Sequence, residues 1–259
     1  MLNKEYKLEG FIDTHMHTSP DINPRALNDI DAALEAKKER MGAIVLKSHV
    51  EATASRAKIV SKISDFNVIG GICLNSSVGS LNPEAVNVTA ALGGKIVWFP
   101  TISASDSYID HENTEDILNI IAENDLVLAT GHLKPDRIFQ IIDYAKSRGI
   151  KKIIINHPLT RVVGATIEEQ KEMSKYAYLE HCFVACMKKH DNLDPAIIAD
   201  AIKEIGPDKC IMATDFGQAH NPRPTAGMNM FVNSMLENRI KKSDINKMCI
   251  QNPSKLFLG

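Results

Sequence analysis

The chain has 259 residues, 44% of them hydrophobic, and a formal net charge of −2. That is enough apolar material for one large globular domain and excludes a disordered chain. The near-neutral balance, with no basic tract, gives no footing for nucleic acid or an anionic membrane surface.

Short β-branched runs alternate with amphipathic stretches from one end of the chain to the other. Strand candidates lie near 10–15, 43–48, 67–73, 95–100, 126–130, 152–156, 176–183 and 210–214. Seven are apolar runs, as expected of parallel strands covered on both faces. The run at 176–183 is interrupted by Glu180 and His181. Asn23-Pro24 reads as the start of a first helix, with Leu27, Ile30, Ala33 and Leu34 at helical spacing. Asn82-Pro83 starts another, closed by Gly93-Gly94. Asn113-Thr114-Glu115-Asp116 precedes Ile117, Leu118, Ile120 and Ile121. Pro135-Asp136 opens a helix stopped by Gly149, and Asp194-Pro195 opens one stopped by Gly206-Pro207. Strict alternation of this kind means a parallel sheet. Eight units close naturally into a (β/α)8 TIM barrel, so the expected fold class is α/β, with residues 1–259 as a single barrel domain. The alternative, an open doubly wound sheet, lacks a G-x-G-x-x-G or phosphate-binding loop after the first strand.

Metal-ligand residue types close several of these runs. The first ends Asp13-Thr14-His15-Met16-His17, the second Lys47-Ser48-His49, the fifth Thr130-Gly131-His132, the sixth Asn156-His157 and the eighth Thr214-Asp215. His15 and His17 are two apart on a strand and share a face. In a barrel all strand C-termini lie on one rim, which brings His132, His157 and Asp215 to the same place. Taken alone, a His-x-His pair or an Asn-His-Pro turn says little; the set in order along one fold points to a metal site. Imidazole and carboxylate suit zinc, with manganese or iron as alternatives. Asp215 could both hold a metal and take a proton from a bound water.

No apolar run approaches the roughly 18 residues of a membrane helix. The start, Met1-Leu2-Asn3-Lys4-Glu5-Tyr6, carries no long apolar segment after a basic beginning, so no signal peptide is expected. Five cysteines leave one unpaired in any disulfide scheme, which suits the reduced thiols of a cytoplasmic protein. Cys182, Cys186 and His190 could mount three ligands on one helix face, but a fourth for a structural zinc is missing.

On His15-Met16-His17, His132, His157, Asp215 and the closing Asn252-Pro253-Ser254-Lys255-Leu256, the chain resembles the metal-dependent amidohydrolase superfamily over nearly its whole length. The resemblance implies one or two divalent metals per chain and hydrolysis of an amide or ester bond. It implies His15, His17 and Asp215 as ligands of a first metal. His132 and His157 would hold a second, or one would bind the first while the other polarises the substrate; Asp215 and His157 are thus the expected catalytic groups.

One departure stands out. Binuclear members carry a bridging lysine or glutamate at the end of the fourth strand, and here that run reads Lys95-Ile96-Val97-Trp98-Phe99-Pro100-Thr101. Two close dications need an anion between them to offset their repulsion. Lys47 as a carbamate, beside His49 at i, i+2, or Glu180 would be substitutes; otherwise the site holds a single metal. Lys47, Arg161 and Arg223 offer positive charge to a small anionic substrate. Loops carrying Thr18-Ser19-Pro20-Asp21, Lys134, Thr160-Arg161 and His220-Asn221-Pro222-Arg223-Pro224 would surround it. The leading expectation is a hydrolase of a small amide, ester or lactone. A mononuclear decarboxylase-type lyase is the main rival, a histidine-rich phosphoesterase ranks lower, and a non-catalytic metal- or ligand-binding barrel is the reading from another class. Assembly into a homo-oligomer is left open.

Overall fold

The computed structural model describes residues 6–104 and 111–259. The N-terminal stretch read for a signal sequence lies outside them, except for Tyr6. In chain order the elements are β1 (Ile12–His17), α1 (Asp29–Lys38), β2 (Ala43–Lys47), α2 (Ala54–Ser64), β3 (Val68–Ile69), β4 (Gly71–Cys73), α3 (Pro83–Ala91), β5 (Ile96–Trp98) and α4 (His111–Glu123). There follow β6 (Val127–Ala129), α5 (Pro135–Ser147), β7 (Ile153–Asn156), α6 (Ile167–Ser174), β8 (Tyr178–Cys182), α7 (Pro195–Ile205), β9 (Cys210–Ala213), α8 (Pro224–Glu237), α9 (Lys242–Asn246) and α10 (Asn252–Phe257).

All neighbouring strands pair in parallel, in the orders β1-β2-β3 and β4 through β9. β3 and β4 are two halves of one stave, so nine strands make eight staves. The break is at Gly70, where a Cβ would sit 2.5 Å from the Thr53 carbonyl oxygen. Thr53 inserts there and satisfies the freed backbone: its N–H reaches Gly71 O at 2.8 Å, and its hydroxyl accepts from Gly71 N–H at 2.9 Å. The ring closes between β1 and the residues after β9. Met16 bridges Phe216 in parallel, Asp215 N–H donates to His15 O at 2.8 Å, and His17 N–H donates to Phe216 O at 2.8 Å. This is the expected (β/α)8 arrangement.

Alternation along the staves sorts the core into two. Ile12, Ala43, Val45, Ile69, Ile96, Trp98, Val127, Ala129, Ile154 and Ile211 fill the barrel interior, plugged at its lower end by Leu256 and Phe257 of α10. Ile44, Leu46, Val97, Leu128, Ile153, Ile155, Leu179 and Met212 face outward against the helices. Burial of each such side chain contributes about 1.5–3 kcal/mol.

Helix starts follow the caps where the caps are local. Pro83, Pro135 and Pro195 each occupy the first turn, and Gly206 ends α7. The first helix departs from expectation. It begins at Asp29, capped by Asn28, whose side chain accepts from Asp31 N at 2.8 Å. Asn23-Pro24 lies in a rim loop instead, drawn across to the segment after β9 by the Arg25–Gln218 bridge and the Ala26 N–Gly217 O bond of 2.8 Å. The inner face of α1 is Ala32, Ala33 and Ala36, while Ile30 and Leu34 are exposed. Small residues let α1 lie close to the barrel, which apolar spacing alone does not reveal. α4 likewise starts at His111, ahead of Asn113. Among the described residues no helix is long and apolar enough to cross a membrane. All five cysteines are free.

Candidate metal centre

A β-bulge turns His15 and His17 towards the cavity. Ile12 pairs with Ala43 and both point inward; strict alternation from there would turn Met16 inward and the histidines out. Between Asp13/Ile44 and Met16/Leu46 the first strand has one residue more than the second, so the phase flips and His17 pairs with Lys47 on the inner face. Asp13 stabilises the irregular stretch, accepting from Thr214 N at 3.0 Å and from the Thr214 hydroxyl at 2.5 Å. Burial pushes the Asp13 carboxyl up to about 6, against those hydrogen bonds.

His15 is held from both sides. Its Nδ1 lies 2.9 Å from Glu180 Oε2. Burial raises the Glu180 carboxyl, but His15, the Thr14 hydroxyl and the Asn156 amide outweigh it and hold the group below the usual range. An ionised carboxylate only accepts, so Nδ1 carries the proton and Nε2 presents a lone pair. That lone pair faces Lys47 Nζ at 3.0 Å and lies 3.3 Å from Asp215 Oδ1. His17 Nε2 is 3.1 Å from the same oxygen. Burial disfavours the charged form of Asp215, yet His15, His17 and Lys47 together hold its carboxyl well below the usual range. Asp215 and His157 both take left-handed backbone, with φ of 53° and 27°, as their segments turn off the strand ends towards the cavity. Gly217 lets the same segment close: a Cβ there would lie 1.7 Å from His17 O.

The remaining imidazoles stand around the opening. His157 donates Nδ1–H to the Thr160 hydroxyl at 2.9 Å, while that hydroxyl donates to His157 O at 2.7 Å. Nε2 of His157 is thereby left free. His132 packs edge-on against His157, with ring centroids 5.0 Å apart, and His49 stacks on His17 at 4.8 Å. Desolvation dominates all of them: it lowers His17 and His157 to about 4 and His132 to about 2, and drives His49 down further. Each is a neutral imidazole at neutral pH, the form that binds metals. Together with Lys47 and Asp215 they line a cavity of about 210 Å³.

The donors of His15, His17 and Asp215 lie within 4.8 Å of one another. Two imidazole nitrogens and a carboxylate oxygen aimed at one point suit a zinc-like divalent ion. The Lys47 ammonium is the cation that the His15 lone pair now meets. The residues present therefore fit a metal.

The other expected site residues divide. Lys47 and His49 line the cavity. Glu180 does not: it stands behind His15, bound to Thr14 at 2.6 Å, His15 at 2.9 Å and Asn156 at 2.7 Å. Arg161 pairs with Asp191 at 2.8 Å and points to solvent. Arg223 pairs with Glu35 of α1 at 3.0 Å. Neither arginine is part of the cavity wall. A second cavity of about 670 Å³, which shares His132 and Val162 with the first, is lined by Lys134 and Arg137 and also by Asp136, 3.8 Å from the Arg137 guanidinium, so its net positive charge rests on Lys134. The fourth stave contributes Trp98, whose indole forms a floor 5.8 Å from Lys47 Nζ and 6.4 Å from the His15 ring. Cys182 packs against Glu180, Cys186 follows on a short turn and His190 stands at the cavity mouth, so these three form no zinc cluster. Sequence reasoning missed Asn75, Asn156, Gln218 and the orienting role of Thr160. For Asn75 and Asn156 the one signal is a polar type directly after an apolar run; Gln218 and Thr160 lie in loops and carry none.

Fold and donor set together define a (β/α)8 barrel whose strand ends carry a histidine–aspartate cluster able to hold a metal ion. The chain belongs to the family of unknown function DUF6282, whose profile matches residues 10–114 and 110–180. No curated protein matches it significantly in sequence. Solved structures match throughout. A probable 2-pyrone-4,6-dicarboxylic acid hydrolase from Acinetobacter baumannii, with citric acid bound, superposes with a TM-score of 0.70 at 16% identity, covering 96% of this chain and 100% of that one. An amidohydrolase from Pseudomonas aeruginosa gives 0.71 at 12% identity, covering 96% and 95%. An amidohydrolase from Burkholderia multivorans with bound Zn gives 0.66 at 11% identity, covering 96% and 99%. At such identities the likeness speaks for the fold.

Proposed function

We propose that this chain is a metal-dependent hydrolase acting on a small anionic ester, lactone or amide. The observation that carries the reading is the meeting of His15 Nε2, His17 Nε2 and Asp215 Oδ1 around one point at the mouth of the barrel. His15, His17 and Asp215 would hold one divalent ion, zinc first, with manganese or iron as alternatives. Such an ion supplies Lewis acidity, which lowers the pKa of water towards neutrality.

The side chains divide the remaining work. Asp215 is ionised, so its carboxylate has the lone pairs a proton acceptor needs; the His15, His17 and Lys47 contacts that hold its carboxyl low reduce its basicity. His157, anchored through Nδ1, presents Nε2 to the cavity and can orient or polarise a substrate oxygen; His132 stands beside it. Lys47 in the main cavity, with Lys134 in the adjoining one, supports an anionic substrate. The hydrolases and amidohydrolases that share this fold support the reaction class. The test is a panel of lactones, esters and amides offered to metal-replete protein. Turnover that a chelator abolishes and metal restores is expected; no turnover on any of them would reject the reading.

One observation favours a second reading. Among the described residues the fourth stave supplies an indole floor and no anion, which supports a single ion over a bridged pair. A mononuclear site of this kind also suits a decarboxylase-type lyase. Carbon dioxide release with no oxygen-18 from labelled water in the organic product would mark that chemistry.

A further inference from the structure

His49, expected only as a bridging or substrate-binding neighbour of Lys47, has one of the most closely determined orientations in the cavity. It follows β2, stacks on His17 at 4.8 Å and lines the cavity. Its Nδ1 lies 2.7 Å from the Thr101 hydroxyl. Thr101 is in turn held by Asn75, a fully buried residue just beyond β4.

The direction of each bond can be worked out. Asn75 Oδ1 accepts two backbone N–H groups, from Thr101 at 2.8 Å and Ser103 at 3.1 Å. That fixes which end of the amide is oxygen. The amide nitrogen must then face the other way, where it donates to the Thr101 hydroxyl oxygen at 2.8 Å and to His49 O at 2.8 Å. The Thr101 oxygen is thus an acceptor towards Asn75, and its own proton needs another partner. The candidates are His49 Nδ1 at 2.7 Å and Cys73 Sγ at 3.2 Å. An imidazole nitrogen is a far better acceptor than sulfur.

We infer that Asn75 and Thr101 are positioning residues that lock His49 as the Nε2–H tautomer, so that His49 donates a hydrogen bond to an anionic oxygen of the substrate. Among the described residues Nε2 has no protein partner. The chain from the third and fourth staves therefore serves substrate binding at the position where a bridging ligand was sought. The word substrate rests on the cavity being the reactive site; the tautomer does not.

The experiment has two arms, neither of which needs turnover. Nitrogen-15 long-range correlation spectra of the imidazoles, with the His49 signal assigned by its loss in His49→Gln, should show an Nε2–H tautomer. Thr101→Ser should keep it and Thr101→Val should lose it. An Nδ1–H tautomer in the wild type, or no change in Thr101→Val, would overturn the inference. In the second arm, inorganic phosphate is titrated into metal-loaded protein by calorimetry. His49→Phe should weaken it roughly five- to tenfold, the worth of one hydrogen bond, while His49→Gln, which keeps an N–H donor, should bind nearly as wild type. Wild-type affinity in His49→Phe would refute the donor role. A protein that hydrolyses nothing but passes both arms would reject the proposed activity and leave His49 as an anion-binding donor.

Discussion

Glu180 Oε2 and His15 Nδ1 lie 2.9 Å apart, both fully buried, although 165 positions separate them in the chain. That contact decides which nitrogen of His15 faces Asp215. An imidazole that ligates a metal through one nitrogen commonly donates its other N–H to a carboxylate, which fixes the ring and raises its basicity.

Glu180→Gln should therefore weaken metal binding without removing a ligand. The expected loss is about 10- to 100-fold in affinity. Competition against a chromogenic chelator measures it, and wild-type affinity in the variant would show that Glu180 only fills space.

The ligand set makes a prediction about stoichiometry. Metal analysis of the wild type should give one tightly held equivalent, since among the described residues nothing anionic stands at the end of the fourth stave. His17→Ala and Asp215→Ala should lose it. Two equivalents in the wild type would restore a bridged pair and reopen Lys47 as its source.

Acid should destabilise the metal-free protein. His17, His157 and His181 are all lowered to about 4, chiefly by burial, and neither ring nitrogen of His181 has a hydrogen-bond partner. A histidine whose folded pKa is depressed contributes stability that is present above its unfolded value and is lost as pH falls towards the folded one. The window is roughly pH 6.5 down to 4. Each such histidine should cost about 2 kcal/mol between pH 7 and 5. Asp13, raised to about 6, acts in the opposite sense, since the native state takes up its proton first on acidification; it offsets about one histidine. Urea midpoints should fall over this range, and a flat profile would mean that these rings are solvated in solution.

Gly217→Ala should damage the site more than the fold. The position has φ 134°, and the added carbon would collide with the His17 carbonyl. Relief requires the segment carrying Asp215 to move away from β1. The expected result is a protein with native circular dichroism and metal affinity reduced at least about 10-fold. Unchanged affinity would show that the loop closure does not govern the ligands.

Substrate charge should be read by Lys134, and not by Arg161. Arg161 is already paired with Asp191 and turned to solvent. Lys134→Ala should raise KM for an anionic substrate by about fivefold, the effect of losing one charged contact, with kcat little altered. Arg161→Ala should leave KM unchanged; the reverse outcome would move the anion site to the other side of the mouth.

The strand–helix alternation, the eight staves and the polar groups that meet at the barrel mouth were legible in the chain, because a buried parallel strand must be apolar and a polar residue at its end stands out. His15, His17, His132, His157 and Asp215 all stand at or beside that mouth. The inward turn of the first two was read from their spacing of two, but the phase that makes it true comes from a bulge, which depends on how β1 pairs with β2. The start of α1 was misread because a tertiary bridge between Arg25 and Gln218 holds Asn23-Pro24 in a loop.

What the sequence by itself determined is the set of chemical groups and their order along the barrel, since periodicity and residue type are local properties. What only the tertiary structure decided is how each group is used. Glu180 supports His15 because Asn156 and Thr14 reach it across neighbouring staves, and Arg223 is removed from the cavity by Glu35 of a distant helix. Hydrogen bonds and ion pairs act over about 3 Å. Which partner falls within that distance depends on the packing of the whole barrel, and no pattern along the chain encodes it.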